Sequence, residues 1–322
     1  MKAIARNSKA ALMPADEKGV TLSWLWIGTW SMGGEGFGPH DLKLSLQTLE
    51  AAYETGIRHF DTAGFYAQGR SEELLKKAFG GNRRSKVFIS SKGGLWREGR
   101  RVWHDARPEA LKKALYQALE RLGADYIDLF QLHWPDPKVP LDESIGALQQ
   151  LRDQGLIRFW GAGNLTAEQV KRFIAPEGTM PHQVHFNPIH RDGLAILKAG
   201  RDCDRCINCI ISPFEQGLLT SSRLLEKELG KKDVRNRNPY FKSAFAKKLA
   251  SELFSRCSQQ GVSPAAAVLA WIIEHQEVDI VIPGPRRPEH LEPIRTIARA
   301  REMESLARPV KDAIHAVHTE NL

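Results

Sequence analysis

Four side chains suited to proton transfer cluster around the ends of three short apolar runs. Asp61 closes residues 57–61, Tyr66 follows in the next loop, Lys92 comes directly after 86–91, and His133 directly after 126–132. A tyrosine hydroxyl, with a pKa of about 10, is a poor proton donor near neutrality until a neighbouring cation stabilises its anion. Lys92 can be that cation. A buried ammonium tends to lose its own proton unless an anion stands beside it, and Asp61 can be that anion. His133 can hold a substrate oxygen as a hydrogen-bond donor or pass a proton to Tyr66. Together the four groups can protonate an oxygen as negative charge develops on it, which suits reduction of a carbonyl by hydride transfer. The hydride must then come from a cofactor. Two other chemistries draw on the same residues. Lys92 could form a Schiff base, although that mechanism gives Asp61 no task. His133, Asp136 and His185 could ligate a metal, although no repeated His spacing supports such a site.

The elements that must position these groups follow from hydrophobic periodicity. Strand-like runs at 25–29, 57–61, 86–91, 126–132, 157–161, 183–187, 207–212 and 279–283 alternate with helix-period segments. Leu42, Leu46, Leu49 and Tyr53 make one amphipathic stripe, and Leu111, Leu115, Leu119 and Leu122 another. Further helices are expected at 71–79, 142–153, 166–175, 241–260 and 264–275, with Thr166 and Gln169 forming a capping box. Eight strands with helices between them, and no marked boundary, predict one α/β domain over 1–322. That domain is a single (β/α)8 TIM barrel, with the barrel proper at about 19–300. A short N-terminal extension precedes it, and extra helices lie before the eighth strand and at the C-terminus. In such a barrel the chemistry sits at the C-terminal ends of the strands, where Asp61, Lys92 and His133 fall. A doubly wound sheet would need a phosphate fingerprint after its first strand, and the glycine-rich segment from Gly33 to Gly38 lacks the G-x-G-x-x-G spacing.

Composition narrows the classes. The 322 residues are 42% hydrophobic and 26% charged, with 8 Trp and 13 Phe, enough apolar surface for a sizeable core. Lys and Arg outnumber Asp and Glu by 46 to 38, giving +8. The basic residues are scattered, and the dense runs 97–101 and 231–237 carry no interleaved aromatics for base stacking. No nucleic-acid or membrane partner is therefore expected. No apolar stretch approaches the roughly 20 residues of a membrane span, and residues 1–18 lack a signal-peptide core. Cys203, Cys206 and Cys209 have iron-sulfur spacing, with Cys257 a distant fourth. The expectation is nevertheless thiols without a metal, in a soluble, cytoplasmic protein.

The motifs GIRHFDTAGFY (Gly56 to Tyr66), SKGG (Ser91 to Gly94), YIDLFQLHWPD (Tyr126 to Asp136), DVRNRNPYF (Asp233 to Phe241) and IPGPR (Ile282 to Arg286) resemble the aldo-keto reductases. The likeness runs over almost the whole chain. It implies a catalytic tetrad of Asp61, Tyr66, Lys92 and His133, with Tyr66 as general acid in an NADPH-dependent reduction of an aldehyde or ketone. It also implies cofactor contacts at Thr29, Trp30, Asp61, Asn164, Gln183, Ser212, Pro213, Phe214, Gly217, Leu218, Gly284, Arg286 and His290. Asn164 and Gln183 would bind the nicotinamide carboxamide, the 212–218 loop the pyrophosphate, and Arg286 the adenosine 2′-phosphate of NADPH/NADP+.

Departures from the family pattern fall at the cofactor. Gly163 removes a hydroxyl beside Asn164, Ile211 removes an aromatic face, His290 stands for a common Gln, and Pro293 and Ile294 replace a common Glu-Asn pair. Trp30, Phe65, Trp96 and Trp134 are expected to line the pocket for a small-molecule carbonyl substrate. Arg97, Arg100 and Arg101 hint at an anionic one. The oligomeric state is left open. The same family contains potassium-channel β-subunits, so the alternative is a nucleotide-binding regulatory subunit with slow or no turnover.

Overall fold

In this computed structural model the described residues are 24–38, 41–99, 101–172, 180–203, 206–300 and 302–319. The strands are β1 (Ile27–Gly28), β2 (His59–Asp61), β3 (Phe88–Gly93), β4 (Leu95–Glu98), β5 (Arg101–His104), β6 (Ile127–Leu132), β7 (Ile157–Gly163), β8 (Met180–His185), β9 (Cys206–Ile211) and β10 (Ile280–Ile282). Eight of them pair in the order β1-β2-β3-β6-β7-β8-β9-β10, every pairing parallel. Leu25 bridges to Val281, and the Gly28 amide donates to the Pro283 carbonyl at 2.8 Å, so the last strand meets the first and the sheet closes into a (β/α)8 barrel. All eight runs expected from the sequence are strands.

Their ends differ from expectation by up to three residues, most at β8, which begins at Met180. A proline there reads as a strand breaker. The β7 pairing, however, starts at Ala162 with His182, one residue beyond Pro181, so the missing N–H leaves that ladder intact. The antiparallel hairpin β4–β5, which pairs Trp96 with Trp103, had no counterpart among the expected elements.

The helices are α1 (Leu42–Glu54), α2 (Arg70–Phe79), α3 (Pro108–Leu122), α4 (Leu141–Asp153), α5 (Ala167–Arg172), α6 (Gly193–Asp202), α7 (Arg223–Glu226), α8 (Ala244–Gln260), α9 (Pro264–Glu274), α10 (Glu292–Arg299) and α11 (Met303–Thr319). Local chemistry sets their ends. Asp41 accepts from the Leu44 amide ahead of α1, Pro108 opens α3 and left-handed Gly123 closes it. The Thr166–Gln169 box forms reciprocally at 2.9 and 3.1 Å before α5. Residues 173–175 of that expected helix, and the expected N-terminal extension, lie outside the described residues. The C-terminal α11 packs on α8 and α9. Among the described residues no helix is long and apolar enough to cross a membrane.

Alternation along the strands sorts the barrel interior into layers. Trp26, Phe88, Leu129, Ile207, Cys209, Ile280 and Ile282 form an apolar floor. On the same inward faces, two residues further along, stand the polar groups Asp61, Ser90 and Gln131. Cys206 belongs instead to the large core between sheet and helices, because a spacing of three along a strand puts it on the face opposite Cys209. Cys257 lies on α8 in that same outer core. The C-x-x-C-x-x-C run therefore does not converge its sulfurs, and the described residues hold no group of His, Cys, Asp and Glu arranged for a metal.

One inward residue is out of keeping with the floor. His59 stacks on Trp26, with centroids 5.8 Å apart, and neither of its ring nitrogens has a hydrogen-bond partner. Burial lowers its pKa from 6.5 to about 4, so the unfolded chain binds a proton that the folded one refuses. The stability this contributes is complete above pH 6.5 and is lost as the pH falls toward 4. By linkage it amounts to about 2 kcal/mol between pH 7 and pH 5. His59→Leu removes both stranded nitrogens at similar volume. Urea unfolding at pH 7 and pH 5 should show the gap between the two narrowing by about that amount; an unchanged gap would mean His59 is solvated or partnered.

Candidate active site

Asp61, the last residue of β2, is 3% exposed and accepts three hydrogen bonds. The Lys92 ammonium donates to Oδ2 at 2.6 Å, while Ser90 Oγ at 3.0 Å and Gln183 Nε2 at 2.7 Å donate to Oδ1. Gln131 donates in turn to Ser90 Oγ at 2.7 Å. A buried carboxylate held by this many donors is fixed in direction. Ser90 and Gln131 carried no sequence assignment, although their inward register two residues from Lys92 and His133 was the signal that placed them here.

Lys92 Nζ also donates to the Thr62 carbonyl at 2.8 Å and to the Tyr66 hydroxyl at 3.4 Å. Burial alone would pull the Lys92 pKa down; the Asp61 charge, the Tyr66 phenol and their hydrogen bonds outweigh it, and the net shift is upward. The ammonium therefore stays charged. For Tyr66 burial dominates and raises the pKa, with Lys92 pulling the other way and Asp61 adding to the rise. The His133 pKa falls well below 6.5 through burial, then the Lys92 charge, then His104, so its imidazole is neutral at neutral pH. A neutral imidazole can donate a hydrogen bond to an oxygen but is no reservoir of protons, which selects the first of the two roles the sequence allowed for it.

Three groups bracket the Tyr66 ring. Trp30 stacks on it at 6.0 Å, the Lys92 ammonium lies 5.1 Å from its centroid, and His133 meets it edge-on at 5.7 Å. Phe65 contacts His133 edge-on at 6.1 Å, and Phe37 props Trp30 at 5.0 Å. Trp30 and Phe65 thus stand beside the Tyr66–His133 gap. Trp134 is 42% exposed on the rim against His104. Trp96 is turned away: its Nε1 donates to the Asp105 carbonyl and Lys113 of α3 covers its ring, while its neighbour Arg97 reaches Glu35. That alternation on β4 corrects the expectation that Trp96 lines the pocket. Arg97 is charge-matched by Glu35, Arg101 lies over the Trp103 ring, and Arg100 is outside the described residues, so nothing described supports an anionic substrate.

The residues assigned to a nicotinamide cofactor form a rim around this centre. Asn164, at φ 58°, donates its Nδ2 to the His133 carbonyl at 2.9 Å, so its amide and that of Gln183 both stand at the tetrad. Thr29 is fully buried, and its hydroxyl is spent on the Asp61 carbonyl at 3.0 Å. It pins β1 to β2. Ser212, Glu215, Gln216 and Gly217 all have positive φ, folding the loop after β9 into a tight cup with Pro213 and Phe214. Glu215 holds that cup from below, taking bonds from His185, Asn187 and Asn238 at 2.8, 2.8 and 2.6 Å. Leu218 is fully buried and its amide bonds the Glu215 carbonyl, so it supports the cup from the core and offers a ligand neither side chain nor N–H. Ser31 Oγ donates to the Gly284 carbonyl at 3.3 Å, Arg286 Nη1 to the Phe37 carbonyl at 2.5 Å, and the Arg286 amide to His290 Nδ1 at 3.2 Å. Burial, then Arg235, then Arg287 lower the Arg286 pKa, while Asp233, which also pairs with Arg235, works the other way.

The comparisons agree with this architecture. The aldo/keto reductase family model matches residues 25–304. The chain is 31% identical to aldo-keto reductase YhdN of Bacillus subtilis over 289 residues, 87% of this chain and 86% of that one. It is 27% identical to the NADH-specific methylglyoxal reductase of Escherichia coli over 298 residues, 87% of this chain and 90% of that one. The glycerol dehydrogenase AKR11B4 of Gluconobacter oxydans superposes with a TM-score of 0.79 at 28% identity, covering 94% of each chain. A match that begins at the first barrel strand and runs into α11, with a solved relative of the same shape over nearly its full length, establishes that the chain belongs to the aldo/keto reductase family.

Proposed function

We propose that the protein reduces an aldehyde or ketone to an alcohol with NADPH, Tyr66 giving the proton, as one barrel domain acting in the reducing environment of the cytoplasm. The observation that carries this reading is the placement of Lys92 Nζ 2.6 Å from Asp61 and 3.4 Å from the Tyr66 hydroxyl at the barrel mouth. When bound, the nicotinamide supplies the hydride that the carbonyl carbon takes up.

The rest falls to this chain. His133, neutral, donates to the carbonyl oxygen and fixes its place. The Tyr66 hydroxyl delivers its proton to that oxygen as charge builds there, and the Lys92 ammonium stabilises the phenolate left behind. Asp61 keeps Lys92 protonated, and Ser90 and Gln183 keep Asp61 aimed at it. Trp30 and Phe65 exclude water from the gap. Water then returns a proton to Tyr66. Asn164 and Gln183 would hold the carboxamide, the 212–217 cup the pyrophosphate, and Arg286 the 2′-phosphate. One relative is named for NADH specificity; the choice of NADPH here rests on the Arg286 corner.

Tyr66→Phe should lower kcat for carbonyl reduction by about 10²- to 10⁴-fold while NADPH still binds. Because the Tyr66 pKa is raised, the parent's reduction rate should hold steady through neutrality and fall only on the alkaline side. A parent that binds NADPH yet turns over no aldehyde or ketone in a broad panel would favour the regulatory-subunit alternative. Arg286→Ala should weaken NADPH binding by about 10- to 100-fold, the loss of a charged hydrogen bond, with little change for NADH. Equal losses for both nucleotides, measured by fluorescence titration, would take the 2′-phosphate away from Arg286.

A further inference from the structure

The loop that carries Tyr66 is flanked from behind by a partly buried ion pair outside the barrel. Ala67, Gln68 and Gly69 have φ of 50°, 57° and 91°, a conformation that non-glycine residues keep only when their surroundings hold them. Arg121 of α3 lies across both ends of this loop. A Cβ at Gly64 would stand 2.7 Å from Arg121 Nη2, and one at Gly69 would fall on its Cδ and Nε. Arg121 Nε donates to Oε2 of Glu72, on α2, at 2.5 Å. Glu72 is fully buried, and its Oε1 accepts from Ser91 Oγ at 2.6 Å. Ser91 is the residue before Lys92. One chain of contacts, Arg121–Glu72–Ser91, therefore touches both the loop bearing Tyr66 and the strand position next to Lys92.

A buried ion pair of this kind adds little net stability over apolar residues of the same volume. What it provides is direction, since a guanidinium fork fixes where both of its neighbours stand. We propose that Arg121 and Glu72 are positioning residues that set the separation between the Tyr66 hydroxyl and the Lys92 ammonium. The inference rests on the reading of Tyr66 as proton donor, which it extends to groups that touch neither substrate nor cofactor.

The test uses the full chain with Arg121→Ala, Arg121→Lys, Glu72→Ala and Glu72→Gln. Three quantities are measured: kcat and KM for a reduced carbonyl, Kd for NADPH, and Tyr66 ionisation by absorbance difference against Tyr66→Phe. A displaced loop should lower kcat by about 10- to 100-fold in both alanine variants, with NADPH Kd within about twofold of the parent. Glu72→Gln can still accept from Arg121 through its oxygen while its amide donates to Ser91 Oγ, reversing that second bond, and should retain most of the parent kcat. Arg121→Lys keeps the charge without the fork, and should fall between parent and Arg121→Ala at unchanged KM. In Arg121→Ala a longer distance from Lys92 weakens the influence that pulls the Tyr66 pKa down, so Tyr66 ionisation should move further to the alkaline side of the parent's.

Parent-like kcat and ionisation in Arg121→Ala would overturn the proposal, as would alanine variants that lose kcat and NADPH binding together. Should the alanine variants not fold, Arg121→Lys and Glu72→Gln decide, and an Arg121→Lys protein identical to the parent sinks the idea. If the parent reduces no carbonyl, the reading of function fails, while the ionisation shift still decides whether Arg121 positions Tyr66.

Discussion

An ammonium cannot remain charged inside a sheet barrel unless an anion is fixed against it, and much of this protein's organisation serves that one requirement. Asp61 and Lys92 sit 2.6 Å apart and nearly out of reach of solvent. Cancelling the cost of burying both needs the remaining lone pairs of the carboxylate satisfied as well; Ser90 of β3 and Gln183 of β8 do so, and Gln131 of β6 donates to Ser90 in turn. The register of the barrel follows: Asp61 pairs with Ser90, and Lys92 with Gln131, because only those pairings put the donors level with the carboxylate. The apolar floor beneath, built on Trp26 and Phe88, keeps water from reaching the pair from the other end of the barrel.

The tetrad was legible in the sequence because polar residues interrupt apolar strand ends, and a strand's two-residue period then places them on one face. The same rule decides where residues singled out by spacing alone point. Cys206 and Cys209 are separated by an odd number and so face opposite ways. Trp96 and Arg97, being adjacent, split between α3 and the mouth. The hairpin β4–β5 escaped notice because its strands are short and largely exposed, with no buried face to leave an apolar pattern.

Glu72 and Arg121 were invisible for a different reason. On a helix, a charged residue reads as surface, and nothing local reveals that Glu72 is fully buried or that it meets a partner 49 positions away. The small residues at Gly64 and Gly69 are the only trace of that crossing in the sequence. Their meaning appears once the guanidinium is seen between them. Leu218 shows the converse: a residue in the right motif whose backbone and side chain are both already committed to the protein.

The enclosure of the Tyr66 ring by Trp30, Lys92 and His133 has a stereochemical meaning. A phenol with a stacked indole, an ammonium over its ring and an imidazole at its edge has little room to swing, which restricts the direction of its hydroxyl. On the reading proposed above, an unsymmetrical ketone whose oxygen met that hydroxyl and His133 would have one substituent toward Trp30 and Phe65 and the other toward the exposed Trp134. Such unequal surroundings would favour one prochiral face, and the alcohol formed would then be enriched in one handedness.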